Sequence, residues 1–169
     1  MGFFESPLIN KIRRNHGLEH ATIHILSRRN HNLSLVGRSD WNGFTLYGPV
    51  DTSEVKLAAG EALDRLRRGE ANLAVHPRCG TMLATTGLLT AVAAFFAISL
   101  DGGPRGRFRW SSIPGAILAA TGAAILAQPI GLILQKRYTT SGEPGNLEIK
   151  SVNVKSEAGV IIHRIDTAQ

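Results

Sequence analysis

His16-Gly17-Leu18-Glu19-His20 is the stretch whose residue types and spacing are best suited to chemistry. On a helix, side chains four apart share a face, so His16 and His20 can hold one ion between them while Glu19 stands beside it. The order H-x-x-E-H is that of the inverted zincin motif, in which two imidazoles bind Zn²⁺ and the carboxylate activates the metal's water. The same five letters also fit a polar helix face whose imidazoles only form hydrogen bonds. His24, one turn further, reads as a residue of the buried face beside Ile23 and Ile25 rather than as another ligand.

A second constellation, His76-Pro77-Arg78-Cys79-Gly80, holds an imidazole and the one cysteine of the chain in a tight turn just before an apolar run. A helix N-terminus and Arg78 would both favour the thiolate. Nitrogen and sulfur donors together suit Zn²⁺. The bland alternatives are an inert buried thiol and a turn imidazole held by Pro77. Taken with the first helix, His16, His20, His76 and Cys79 are the expected metal ligands, with zinc or another divalent transition metal as cofactor. Glu19 is the expected catalytic residue. Asp40 and Asp51 read as turn residues, Glu70 as a solvated acid near the ligand turn, and His163 as a strand residue. No phosphate-binding glycine loop, paired CxxC or serine-centred nucleophile motif is visible.

The elements that must position these residues follow from periodicity. Ser6 and Pro7 suit an N-cap and first turn, predicting a helix to about Arg29. Leu33 to Val36 and Phe44 to Tyr47 predict short strands around a turn at Asn42-Gly43. Ser53 is the expected cap of a helix from Glu54 to Arg68, with Val55, Ala59, Ala62, Leu63 and Leu66 as its apolar stripe. Leu147 to Val154 and Val160 to Ile165 predict a second hairpin around Glu157-Ala158-Gly159.

Between these lie two uncharged runs, Thr81 to Leu100 and Ile113 to Leu134, each long enough as a helix to cross a hydrocarbon core. Pro114 is tolerated in a first helical turn. Ala116, Ala120 and Ala124, four apart, would let a neighbouring helix approach closely. Gln128 and Pro129 interrupt the second run. The expected fold is α+β: a small cytoplasmic helix, hairpin, helix domain (residues 1–80), an inserted two-helix transmembrane hairpin (81–134, with loop 101–112), and a C-terminal β-hairpin (135–169) that packs on the first domain.

The net charge is +6, but the basic residues form no tract with interleaved aromatics, so nucleic acid is not an expected partner. Arg65, Arg67, Arg68, Arg78, Lys136, Arg137 and Lys150 lie on the side of the termini, against Arg105, Arg107 and Arg109 in the loop. The positive-inside rule therefore predicts a two-pass protein of the inner (cytoplasmic) membrane with both termini cytoplasmic. A single cysteine and the lack of a secretory leader pattern agree with a reducing compartment. Besides the lipid bilayer, the partners left open are another membrane protein or a second copy of the chain.

HGLEH on a helix with HPRCGT directly before an apolar span resembles the YqhQ-like bacterial membrane proteins, whose pattern is HG-x-EH followed by HPRCGT. The resemblance implies a metal-dependent membrane enzyme and points, position by position, to His16, Glu19, His20, His76 and Cys79. This chain looks like a smaller two-span relative, and its GRSDWNGFTLYG segment has no counterpart in the larger members. Three functions follow as expectations. The first is a zinc-dependent, peptidase-like hydrolase with Glu19 as general base. The second is a non-catalytic membrane-protein subunit or assembly factor with a closed structural zinc site. The third is a thiol enzyme using Cys79, with His76 or His16 as base.

Overall fold

A computed structural model describes residues 6–101, 109–157 and 159–169. In chain order the elements are α1 (Pro7–Arg29), β1 (Val36–Asp40), β2 (Gly43–Tyr47), α2 (Thr52–Arg67), α3 (Gly80–Asp101), α4 (Ile113–Leu134), β3 (Glu148–Glu157) and β4 (Val160–Ala168). Short 3-10 turns occupy Ala71–Ala74 and Trp110–Ser112, and a π-helical turn, Gln135–Thr139, follows α4. The chain divides into two compact units. One combines residues up to His76 with Gln135–Gln169, and the other is Pro77–Leu134.

The first unit is α+β. Its antiparallel sheet has the order β1-β2-β4-β3, so β4 lies between β2 and β3. Pleating sends Phe44, Leu46, His163 and Ile165 to one face, where Phe44 pairs with Ile165 and Leu46 with His163. That face is buried under α1 and α2, whose Leu18, Leu26, Val55, Ala59, Leu63 and Leu66 complete the core.

Several local expectations are corrected. The first strand is Val36–Asp40 and not Leu33 to Val36, because the turn contains Trp41 and Asn42 and the register pairs Asp40 with Gly43. Gly43 opens β2 at φ 147°, where a side chain's first carbon would fall 2.0 Å from the Ile165 carbonyl oxygen. Asp40 closes the turn by accepting the Asn42 N–H at 2.8 Å. The α2 cap is Asp51, which accepts from the Ser53 N–H at 2.7 Å, so Ser53 belongs to the first turn. Ser6 precedes α1 without a side-chain cap bond, and Pro7 alone marks the helix start. The C-terminal strands run longer than their alternation indicates, and Ala158 of their turn lies outside the described residues.

The second unit is a helical hairpin of α3 and α4, both long and apolar enough to cross a membrane. The buried positions on α4 are Ala116, Ala127 and Gly131. The small-residue seam thus starts where expected, passes through the half-buried Ala120 and Ala124, and continues by the helical repeat to Ala127 and Gly131. Gly131 meets the Met82 side chain of α3 so closely that an added carbon would sit 2.3 Å from Sδ. Gln128 is exposed beside Pro129 and does not face the seam. The connecting loop's Arg105 and Arg107 lie outside the described residues.

Candidate metal centre

The site is built on α1, whose turns stack His16, His20 and His24 one above another. Gly17, inside the HGLEH motif, lets α1 settle against its neighbours: a side chain there would place its first carbon 2.0 Å from the Ser141 carbonyl oxygen and 3.3 Å from the Ala74 side chain. Ser141 in turn donates its N–H to the Arg13 carbonyl at 2.9 Å. The close approach aims backbone carbonyls at the histidines. His16 Nδ1 contacts the Thr139 oxygen at 2.9 Å, His20 Nδ1 the Ala74 oxygen at 2.8 Å, and His24 Nε2 the Val75 oxygen at 2.9 Å.

A carbonyl oxygen can only accept, so each of these ring nitrogens carries a proton and donates. Anchoring one ring nitrogen on a carbonyl is the usual support of metal-binding histidines, and here the anchored atoms are Nδ1 of His16 and His20 and Nε2 of His24. The His16 and His20 rings lie 4.4 Å apart, centroid to centroid, and each offers a ligand nitrogen within 4.8 Å of the other's. His76 joins them: its ring is 5.8 Å from that of His20 and 4.9 Å from that of His24. Four imidazoles therefore gather in the α+β unit. His24, half-buried, also stands edge-on against His76.

Gln135, the first residue after α4, is completely buried and holds the His76 backbone N–H through Oε1 at 3.0 Å. Its Nε2 is buried without a hydrogen-bond partner in the described structure. The π turn that carries it closes with the Thr140 N–H on the Gln135 carbonyl at 3.0 Å. π turns recur where a helix is distorted for function.

Glu19 is 4% exposed and points toward β1. Its carboxylate accepts a short hydrogen bond from the Ser39 hydroxyl and occupies the space a side chain at Gly37 would need. Burial raises its pKa above the ordinary carboxylate range, against the lowering effects of Ser39 and of His16. Cys79 is buried at the start of the helical hairpin, where its sulfur accepts the Thr81 N–H at 3.4 Å. It follows His76 by three residues, a reach of at most roughly 11 Å along the chain.

The remaining acids have other work. Glu70 is not simply solvated: it pairs with Arg65 at 2.5 Å, which holds its carboxyl below the usual range. Asp40 takes both arms of the Arg164 guanidinium at 2.6 and 2.9 Å, and Asp51 caps α2. His163 is fully buried and donates from Nε2 to the Val50 carbonyl at 3.1 Å. Of the supporting residues, Gln135, Ser39 and Gly37 carry no motif. The nearest sequence signal was the glycine of HGLEH and an amide directly after an apolar run.

An α+β unit interrupted by an apolar helical hairpin and gathering four imidazoles beside a buried glutamate is the class of protein that fold and site define. The chain belongs to the family described as Domain of unknown function (DUF6391), whose model matches residues 11–152. It is also 36% identical over 156 residues to an uncharacterised protein of Picosynechococcus sp. (strain ATCC 27264 / PCC 7002 / PR-6), covering 86% of this chain and 73% of that protein. No solved structure matches.

Proposed function

We propose that this chain is a two-span membrane protein, a smaller relative of the YqhQ-like proteins, that carries a zinc-type centre and acts as a metal-dependent, peptidase-like hydrolase. The observation that supports the metal reading is the convergence of three imidazoles: His16 and His20 lie 4.4 Å apart on one helix face, each anchored through Nδ1 to a backbone carbonyl, and His76 lies 5.8 Å from His20. His16, His20 and His76 supply nitrogen ligands, and Cys79, tied to His76 by two intervening residues, supplies sulfur. A divalent ion held there would supply Lewis acidity and lower the pKa of a bound water. Glu19, three residues from His16 on the same helix, would serve as the proton acceptor, its carboxylate held in place by Ser39 and Gly37.

Membrane insertion is supported by the exposure of the hairpin's large apolar side chains, Leu83, Phe95, Leu118 and Ile125 among them. Water would not tolerate that surface on a folded helix pair. Basic residues flanking the spans favour cytoplasmic termini. A closed structural centre in a membrane-protein subunit is the second reading, favoured by one observation: His20 and Cys79 are both buried.

Metal content of the purified chain tests the centre. One zinc per chain is expected in the wild type and its loss in His20→Ala, whereas a metal-free wild type would overturn the reading. Glu19→Gln then separates the two functions: retained metal with loss of hydrolysis of a peptide library supports the base role, and loss of the metal makes Glu19 a ligand. Carbonate extraction of membranes and reporter fusions at residue 169 and near Gly103 test insertion and orientation.

A further inference from the structure

On the same α+β unit, toward the start of α1, a second group of side chains has different chemistry. Arg13 and Arg14 face Lys136 and the Thr140–Glu143 segment across a cavity of about 390 Å³, within the roughly 300–1,000 Å³ typical of ligand sites. Ala74 and Val75, whose carbonyls orient His20 and His24, form another part of its wall.

The cations here are held but not neutralised. Arg13 Nη2 donates to the carbonyls of Arg137 at 2.9 Å and Thr140 at 3.3 Å, and its Nε is buried with no partner among the described residues. Arg14 Nη1 donates to Asn146 Oδ1 at 3.4 Å and Gln169 Oε1 at 3.2 Å. Every one of these acceptors is neutral. By contrast, Arg29, Arg65, Arg67 and Arg164 each meet a carboxylate within 4.0 Å. Glu143 is the one acid on the cavity wall, and it is exposed. Gly145, at φ 58°, leaves room for the Arg14 guanidinium, which would lie 2.9 Å from a side chain's first carbon. Guanidinium groups positioned in advance by neutral acceptors pay little to receive a multivalent anion, and their geometry matches phosphate oxygens.

Lys136 stands two residues past Leu134, where α4 ends. Covalent reach alone keeps this wall of the cavity at the level of lipid head groups if α4 spans the bilayer. We propose that the cavity binds a phosphate group, carried on the head group of an anionic phospholipid. The phosphate chemistry stands on the cavity; its lipid source rests on the membrane reading above.

The test uses the full chain in a non-ionic detergent and follows Tm against added dihexanoylphosphatidic acid, dihexanoylphosphatidylcholine and inorganic phosphate. Phosphatidic acid is expected to raise Tm saturably, with the other two much weaker. In Arg14→Gln/Lys136→Gln the half-saturating concentration should rise about tenfold or more, since charge-assisted hydrogen bonds are lost. Arg13 is left intact because it also holds backbone carbonyls. Lys56→Gln on α2, away from the cavity, should respond as wild type. Equal shifts with both lipids, or a double variant that still responds fully, would overturn the proposal. A complete shift with inorganic phosphate alone would overturn the lipid source and keep the phosphate site, whatever carbonate extraction shows about the membrane.

Discussion

The two units use the same apolar residues in opposite ways. In the α+β unit Phe44 is wholly buried, with Leu18, Leu46 and Ile165 around it. In the helical hairpin Phe95 is 67% exposed and Leu118 74%, and the buried positions of α4 are small: Ala116, Ala127 and Gly131. The first unit is held by area removed from water, at roughly 25 cal/mol per Å². Among its described residues the second buries little apolar side chain, chiefly Met82, Ala116 and Ala127. Its small residues instead allow close backbone approach along a seam, the arrangement by which helices associate in apolar surroundings. Residue type alone therefore does not say what stabilises a helix; the medium decides.

The largest effect should come from reversing this contrast at phenylalanine. Phe44→Ala is expected to cost about 3–5 kcal/mol, as for other buried aromatic truncations, and Phe95→Ala close to nothing, both read from unfolding in mild detergent. Equal losses would mean that a second copy or another protein covers Phe95.

A smaller effect is expected at the seam. Gly131→Leu must displace Met82 and should cost about 1–3 kcal/mol. Gly122→Leu has open space around it and should be tolerated. Thermal melting of the two variants side by side distinguishes a packed seam from two helices that merely lie together.

The smallest expected effect is a pH dependence confined to the α+β unit. Burial holds the His163 pKa below its ordinary value, against the weaker raising effects of the Val50 carbonyl and Asp51. With the folded value depressed, the neutral ring's stabilisation is complete above the unfolded pKa of about 6.5 and is lost as pH falls below it, because the unfolded chain then binds the extra proton. His163→Gln should flatten the wild-type fall in Tm on acidification through this range. An unchanged profile would place the titration elsewhere.

Much of this architecture was legible in the residues. The apolar runs, the α1 span to Arg29 and the two hairpins follow from uncharged length, from Pro7 and from alternation, all of which are local signals. The misplaced elements were set by choices that alternation does not resolve. β1 is Val36–Asp40 because the hairpin register pairs Asp40 with Gly43 across a turn of Trp41 and Asn42, and Asp51 caps α2 although Ser53 offers the same chemistry. At the site, the imidazoles could be named from HGLEH and HPRCG. Thr139, Ala74 and Gln135 could not, because a backbone carbonyl or a lone amide has no pattern until the fold brings it near.

The order of the sheet also sets a schedule for biosynthesis. β4 supplies the inner strand between β2 and β3, yet it is the last element translated. Until residues 160–168 leave the ribosome, β2 presents an open edge bearing Phe44 and Leu46, and the core beneath it cannot close. By then both apolar helices have already been synthesised. The unit that gathers the histidines thus matures only after the hairpin has been synthesised, so a chain stalled or cut between α4 and β4 would expose its unpaired edge to aggregation and quality control.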